Sequence, residues 1–159
     1  MLIAELAEGV VLKSTNLQPG EITKMSMVPD NYIVQKISTH TFQFTTSSRV
    51  KGDAAVTIRL PAGIIPPLDG TVLTDVSSPD GSTSATRAVV LAGNQIQVFG
   101  LTKPGQILRA DSTITLRIKG LKNQFSAKDA GDFTITTQNK IGDQYYTVDE
   151  STSPTSFVA

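Results

Sequence analysis

The chain contains no cysteine and no tryptophan, and it has a single histidine among 159 residues. Without thiols there is no disulfide, no thiolate nucleophile and no zinc–thiolate cluster. One imidazole leaves little material for histidine-based metal or acid–base chemistry. Charge is scarce as well: 18% of residues are Asp, Glu, Lys or Arg, against roughly a quarter in ordinary soluble domains. The 14 basic and 14 acidic residues cancel. Such a chain lacks the positive field that holds phosphates, so no nucleic acid is expected as partner. No stretch approaches the roughly 18 apolar residues of a membrane helix, and no membrane insertion is expected. The opening Met1–Glu8 carries two acids and no basic residue, and does not read as a secretory leader.

What is present is β-sheet chemistry. The length suits one domain with its own core. Ser and Thr make up about a fifth of the chain, Thr being the commoner; its branched Cβ favours strands. Glycines recur at 52, 63, 70, 81, 93, 100, 105, 120, 131 and 142, several in turn pairs such as Gly52-Asp53 and Gly93-Asn94. Short strands at that spacing mark a sandwich or barrel. Between the turns the period is two. Ala54, Val56, Ile58 and Leu60 share one face, and Ile114, Leu116 and Ile118 share another. Phe42 alternates with Phe44, and Phe133 with Ile135. One buried and one solvated face is the antiparallel pattern.

This periodicity predicts strands near 10–16, 22–28, 31–37, 39–47, 54–60, 71–76, 86–91, 94–99, 111–119, 132–138 and 144–149. The expected core is Phe42, Phe44, Val56, Ile58, Leu60, Ile96, Val98, Ile114, Leu116, Ile118, Phe133 and Ile135. Helix is expected only as one turn over 126–130, and residues 2–8 fit either a helix or a strand. Pro61, Pro66 and Pro67 place 61–70 in a loop, since proline offers no ladder donor. Leu60-Pro61-Ala62-Gly63 reads as a turn. No repeat is visible, and the chain divides into an N-terminal extension (1–20), a sandwich (21–150) and a Ser/Thr-rich tail (151–159).

Four segments carry a resemblance: Thr39-His40-Thr41-Phe42-Gln43-Phe44-Thr45-Thr46, then Val56 through Gly63, Ser112 through Lys119, and Asp132 through Thr137. Across residues 28–149 the order of these strands resembles an immunoglobulin-like β-sandwich module of microbial surface and fibre-forming, pilus-like proteins. The resemblance implies an all-β, immunoglobulin-like antiparallel sandwich and an extracellular or cell-surface setting. Its motifs are strand patterns, and they transfer no site residues.

Sites of chemistry are sparse. His40 shares the parity of Phe42 and Phe44 and is expected near the start of the buried face or at its rim, with a structural role. Gly-x-Ser-x-Gly is absent, so no catalytic residue is expected and the chain reads as a non-enzyme. The acids are scattered through turns, with no closely spaced calcium-loop run, so no metal site and no cofactor is expected. Tyr32, Tyr145 and Tyr146 are the only tyrosines for sugar stacking, and of the adjacent pair one is expected in the core. No Asn-x-Ser/Thr sequon occurs. Any glycan would therefore be O-linked, on Ser151, Thr152, Ser153, Thr155 or Ser156. No Lys–Asn pair is marked for an isopeptide bond.

The N-terminal extension is the most informative part. Leu2, Ile3, Leu6, Val10, Val11 and Leu12 are apolar yet precede the module. Such a segment either completes its own sandwich or fills a neighbour's groove, because sheet edges accept foreign strands. The alternation favours a strand starting near Gly9, with Val10, Val11, Leu12 and Ser14 as the candidate donor strand. The expected partner is the chain itself, as a homopolymer joined by strand donation. The alternative is a ligand- or glycan-binding adhesive module, with cell-surface glycans as partner.

Overall fold

A computed structural model describes residues 5–6, 8–9, 18–51, 54–67, 74–77, 87–103, 105–124 and 131–154. Thirteen strands follow in chain order: β1 (Glu5–Leu6), β2 (Glu8–Gly9), β3 (Ile22–Pro29), β4 (Ile37–Thr46), β5 (Val50–Lys51), β6 (Ala55–Arg59), β7 (Thr74–Ser77), β8 (Arg87–Leu91), β9 (Gln95–Phe99), β10 (Ile107–Leu108), β11 (Thr113–Lys122), β12 (Asp132–Ile141) and β13 (Gln144–Pro154). Among the described residues there is no helix.

Two antiparallel sheets face each other. One has the order β3-β4-β11-β7 and the other β13-β12-β6-β9-β8. The first matches the A-B-E-D sheet of an immunoglobulin sandwich, and β13-β12-β6 matches its G-F-C sheet. The middle of the chain departs from that plan. Here β7 closes the first sheet before the β8–β9 hairpin extends the second. The fold is an all-β, immunoglobulin-like sandwich.

The period-two faces meet between the sheets. All twelve expected core residues are buried, joined by Ile22, Met27, Val50, Ile64, Leu101, Leu108 and Leu121. Phe42 of β4 and Phe133 of β12 touch edge to face across the layers, with centroids 5.9 Å apart. The turn at Pro61 forms as expected, with Ile64 N–H donating to Pro61 O at 3.0 Å. Asn94 locks it by donating from Nδ2 to the carbonyls of Leu60, Pro61 and Ile64.

Four expectations need correction. Residues 31–36 form a loop, and β4 begins only at Ile37. The apolar Tyr32-Ile33-Val34 run imitates a strand, but long-range hydrogen bonds from Asn123 fold it into a turn. His40 is not at the rim; it is fully buried. Neither Tyr145 nor Tyr146 enters the core. A bulge between Thr137 and Gln138 in the β12–β13 register shifts the faces of β13, leaving Tyr145 half-buried and Tyr146 exposed. Finally, β13 continues past 149 to Pro154, pairing Ser151, Thr152 and Ser153 with β12. The strand expected at 10–16 and the helical turn expected at 126–130 lie outside the described residues.

Candidate functional site

The candidate donor residues Val10, Val11, Leu12 and Ser14 lie outside the described residues. What is described is where their segment joins the fold. Gly20 pairs with Asp149 of β13 in parallel. Its N–H donates to Val148 O at 2.9 Å, and Glu150 N–H donates to its carbonyl at 2.9 Å. The chain then leaves that sheet and enters β3 of the other sheet at Ile22, whose N–H donates to Ser151 Oγ at 2.9 Å.

Asp149 makes this junction. Its fully buried carboxylate accepts from Ser47 N–H at 2.9 Å, Ser48 N–H at 3.0 Å and Ser48 Oγ at 2.7 Å. Those donors sit at the corner after β4, so one side chain ties both sheets and the incoming segment together. A Cβ at position 20 would collide with Asp149 Oδ1, which is why glycine stands there. Ser47 Oγ also donates to Glu21 O. A buried polar group is tolerable when its lone pairs are filled by directed donors, as here. Sequence reasoning treated Asp149 as a local turn former. Its donors lie about a hundred residues away, and no local pattern signals them.

A second feature is the outer face of the five-stranded sheet. Thr57 and Arg59 of β6, Gln95 and Gln97 of β9, Thr136 and Gln138 of β12 and Glu150 of β13 line a shallow groove of about 550 Å³. Its side chains hold one another. Thr57 Oγ1 donates to Gln138 Oε1 at 2.8 Å, Gln97 Nε2 to the same oxygen at 3.3 Å, and Thr136 Oγ1 to Glu150 Oε2 at 2.8 Å. At one end of this face Phe99 packs on Tyr145, with centroids 5.5 Å apart. Thr57 and Arg59 alternate with the buried Val56 and Ile58, and Gln95 and Gln97 with the buried Ile96 and Val98, which puts them on the solvated face. The curvature that makes a groove of them comes from sheet twist and the bulge, which parity does not encode.

The third feature is His40, beneath the loop 30–36. Its Nδ1 lies 3.4 Å from Ser38 Oγ, which donates to Asn123 Oδ1 at 3.3 Å. Burial pushes the imidazole pKa down from 6.5 to about 4, against the upward pull of Ser38, Asp30 and Asn123. A neutral imidazole is what an apolar core demands. Among the described residues, no three His, Cys, Asp or Glu side chains gather as a metal site would require.

No family model matches the sequence. No curated protein matches it either. Similar solved structures include domains D2 and D3 of the major pilin SpaD from Corynebacterium diphtheriae, at 13% identity and TM-score 0.45, covering 81% of this chain and 51% of that one. A collagen-binding domain from a Staphylococcus aureus adhesin is similar at 11% identity and TM-score 0.40, over 82% of this chain and 95% of that one. A family GH18 chitinase from Chromobacterium violaceum is similar at 10% identity and TM-score 0.39, over 90% of this chain and 21% of that one. The chain thus spans about half the length of the pilin fragment. At these identities no residue's role carries across.

Proposed function

We propose that the chain is a structural subunit of an extracellular fibril or pilus-like filament, assembled head to tail by donation of the strand containing Val10, Val11, Leu12 and Ser14. The parallel register of Gly20 on β13 supports this reading. A strand continued backward in that register comes level with Gln144, where β13 begins, at about Thr15. Val10 to Ser14 would then fall beyond the end of their own sheet. In that case their backbone groups and apolar side chains would need partners on another copy. Burying Val10, Val11 and Leu12 contributes roughly 5–9 kcal/mol before ordering costs, enough to hold a joint.

The test is the double variant Val10→Asp with Leu12→Asp, viewed by negative-stain electron microscopy beside the wild type. Two unpaired charges in a receiving groove cost several kcal/mol, so wild-type filaments and a monomeric variant are expected. Filaments from both, or a wild type that stays monomeric at every concentration, overturn the proposal.

The outer groove favours a second reading, an adhesive module that holds a hydroxyl-rich chain such as a cell-surface glycan. Its amides and hydroxyls are fixed in place, with an aromatic pair at one end. In that case Arg59→Ala and Gln138→Ala abolish retention on immobilised oligosaccharides while filament formation is unchanged.

A further inference from the structure

At the end of the sandwich opposite Gly20, the loop 30–36 joins β3 to β4. Its backbone is held from beneath by one residue. Asn123, almost fully buried, donates from Nδ2 to Asn31 O at 3.1 Å, Asn31 Oδ1 at 3.2 Å and Ile33 O at 2.8 Å. Its N–H donates to Lys36 O at 2.8 Å, and Gln35 N–H donates to Gln124 O at 3.0 Å. Asn31 Oδ1 also accepts from Ile33 N–H at 3.2 Å. Gln35 takes a left-handed φ of 61° to complete the turn.

A loop pinned this firmly displays the wrong side chains for solvent. Tyr32, Ile33, Val34 and Ile37 are exposed, and so is Val28 on the adjoining end of β3. Five of the nine exposed large apolar side chains among the described residues therefore lie on this one end. Exposed apolar residues scattered singly are ordinary, but a contiguous and rigid set marks a docking surface. Rigidity matters because the loop's ordering cost is already met by folding, which leaves more of the contact energy for association.

We infer that this apolar end is the receptor for the N-terminal segment of a second copy of the chain. The inference deepens the strand-donation reading and rests on it. Direction is the first argument. β3 runs from Ile22, level with Thr46, to Pro29, level with His40. Eight residues place Gly20 and the loop about 25 Å apart, at opposite ends. Because Gly20 runs parallel to β13 and onward into β3, the chain reaches Gly20 from the side away from its own loop. To cover that loop in its own molecule, the segment would have to reverse; a copy stacked end to end receives it directly. Composition is the second argument. Residues 1–17 supply Leu2, Ile3, Leu6, Val10, Val11, Leu12 and Leu17. Charge is the third: the segment's acids Glu5 and Glu8 meet the exposed Lys36 on the loop, whereas the loop's Asp30 is already engaged by Arg117 at 3.9 Å. Two different surfaces used head to tail give an open filament rather than a closed dimer.

The absence of cysteine makes the test clean. Leu12→Cys and Ile37→Cys are made separately, mixed, and treated with a short bismaleimide. Cross-linked dimers are expected in the mixture and not in either variant alone. Ile33→Asp with Ile37→Asp, whose side chains face solvent, should keep the wild-type unfolding midpoint and raise the critical concentration for assembly about ten-fold or more. This variant still carries a donor segment, so small doses of it should stop the growth of wild-type filaments. Dimers of Ile37→Cys alone would indicate a symmetric contact and overturn the inference. So would a cross-link within one molecule of the double-cysteine chain at high dilution. If wild-type filaments grow unaffected by the double aspartate variant, the receptor lies elsewhere and strand donation stands. If the wild type forms no filament at all, both fail.

Discussion

His40 is an imidazole placed where it cannot hold a proton at neutral pH. In the unfolded chain it titrates near 6.5, and in the fold burial holds it down at about 4. Between these values the unfolded state binds a proton that the native state refuses. The native state is therefore at full strength above pH 6.5, and stability is lost as pH falls from 6.5 toward 4. The loss should reach about 2–3 kcal/mol near pH 4.5. Urea melts of the wild type and His40→Gln at pH 7.5 and 4.5 check this: the wild type should lose that much more than the variant. Equal losses would mean that other groups carry the pH dependence. Asp149 is buried too, but its carboxyl oxygens accept from three donors. Asp149→Ala leaves those donors facing nothing and should cost about 3–5 kcal/mol. Asp149→Asn retains an acceptor and should cost markedly less, as read from thermal unfolding midpoints.

Among the elements, β11 shows how much a sequence reveals when one face is buried. Ile114, Leu116 and Ile118 point into the core, and Thr113, Thr115 and Arg117 point out. Leu116 stands between Phe42 and Val76 on the flanking strands. Leu116→Ala should cost about 2–5 kcal/mol through lost transfer energy and the cavity left behind. Thr115, whose hydroxyl accepts from Gln43 Nε2 at 3.3 Å, should cost under about 1 kcal/mol as alanine. Chemical denaturation of both variants decides the face assignment. Alternation was legible wherever a strand has one dry side: β4, β6, β9, β11 and β12 fall where the period puts them. It failed at residues 31–36, where β-branched and aromatic residues suggest a strand but Asn123, some ninety residues later, imposes a loop. It failed also at Tyr145 and Tyr146, because a bulge breaks the period that the reasoning depends on. The junction at Gly20, Ser48 and Asp149 was not legible at all. A contact across more than a hundred residues leaves no local trace, and only the glycine hints that something comes close.

On the scale of the whole molecule, the edges decide behaviour. β3 is an edge strand bearing a bulge at Lys24, which adopts a left-handed φ of 52°; a charged, twisted edge discourages sideways pairing. On the same flank, the neighbouring edge strand β13 of the other sheet is partly covered by the Gly20 segment. With that flank blunted, the β7–β8 flank and the ends of the sandwich are left for association, and one end carries the apolar loop. Net charge is zero, so copies approach without long-range repulsion or steering. The salt response of the proposed assembly follows. A joint made of Leu, Ile and Val side chains should persist from low ionic strength through about 0.5 M sodium chloride, where the Debye length falls below about 5 Å. It should strengthen in ammonium sulfate, since excluded salts favour apolar burial. Light scattering across both series measures this. Filaments that dissolve as sodium chloride rises would show that the joint is held by ion pairs, with Glu5, Glu8 and Lys36 carrying it in place of the apolar residues.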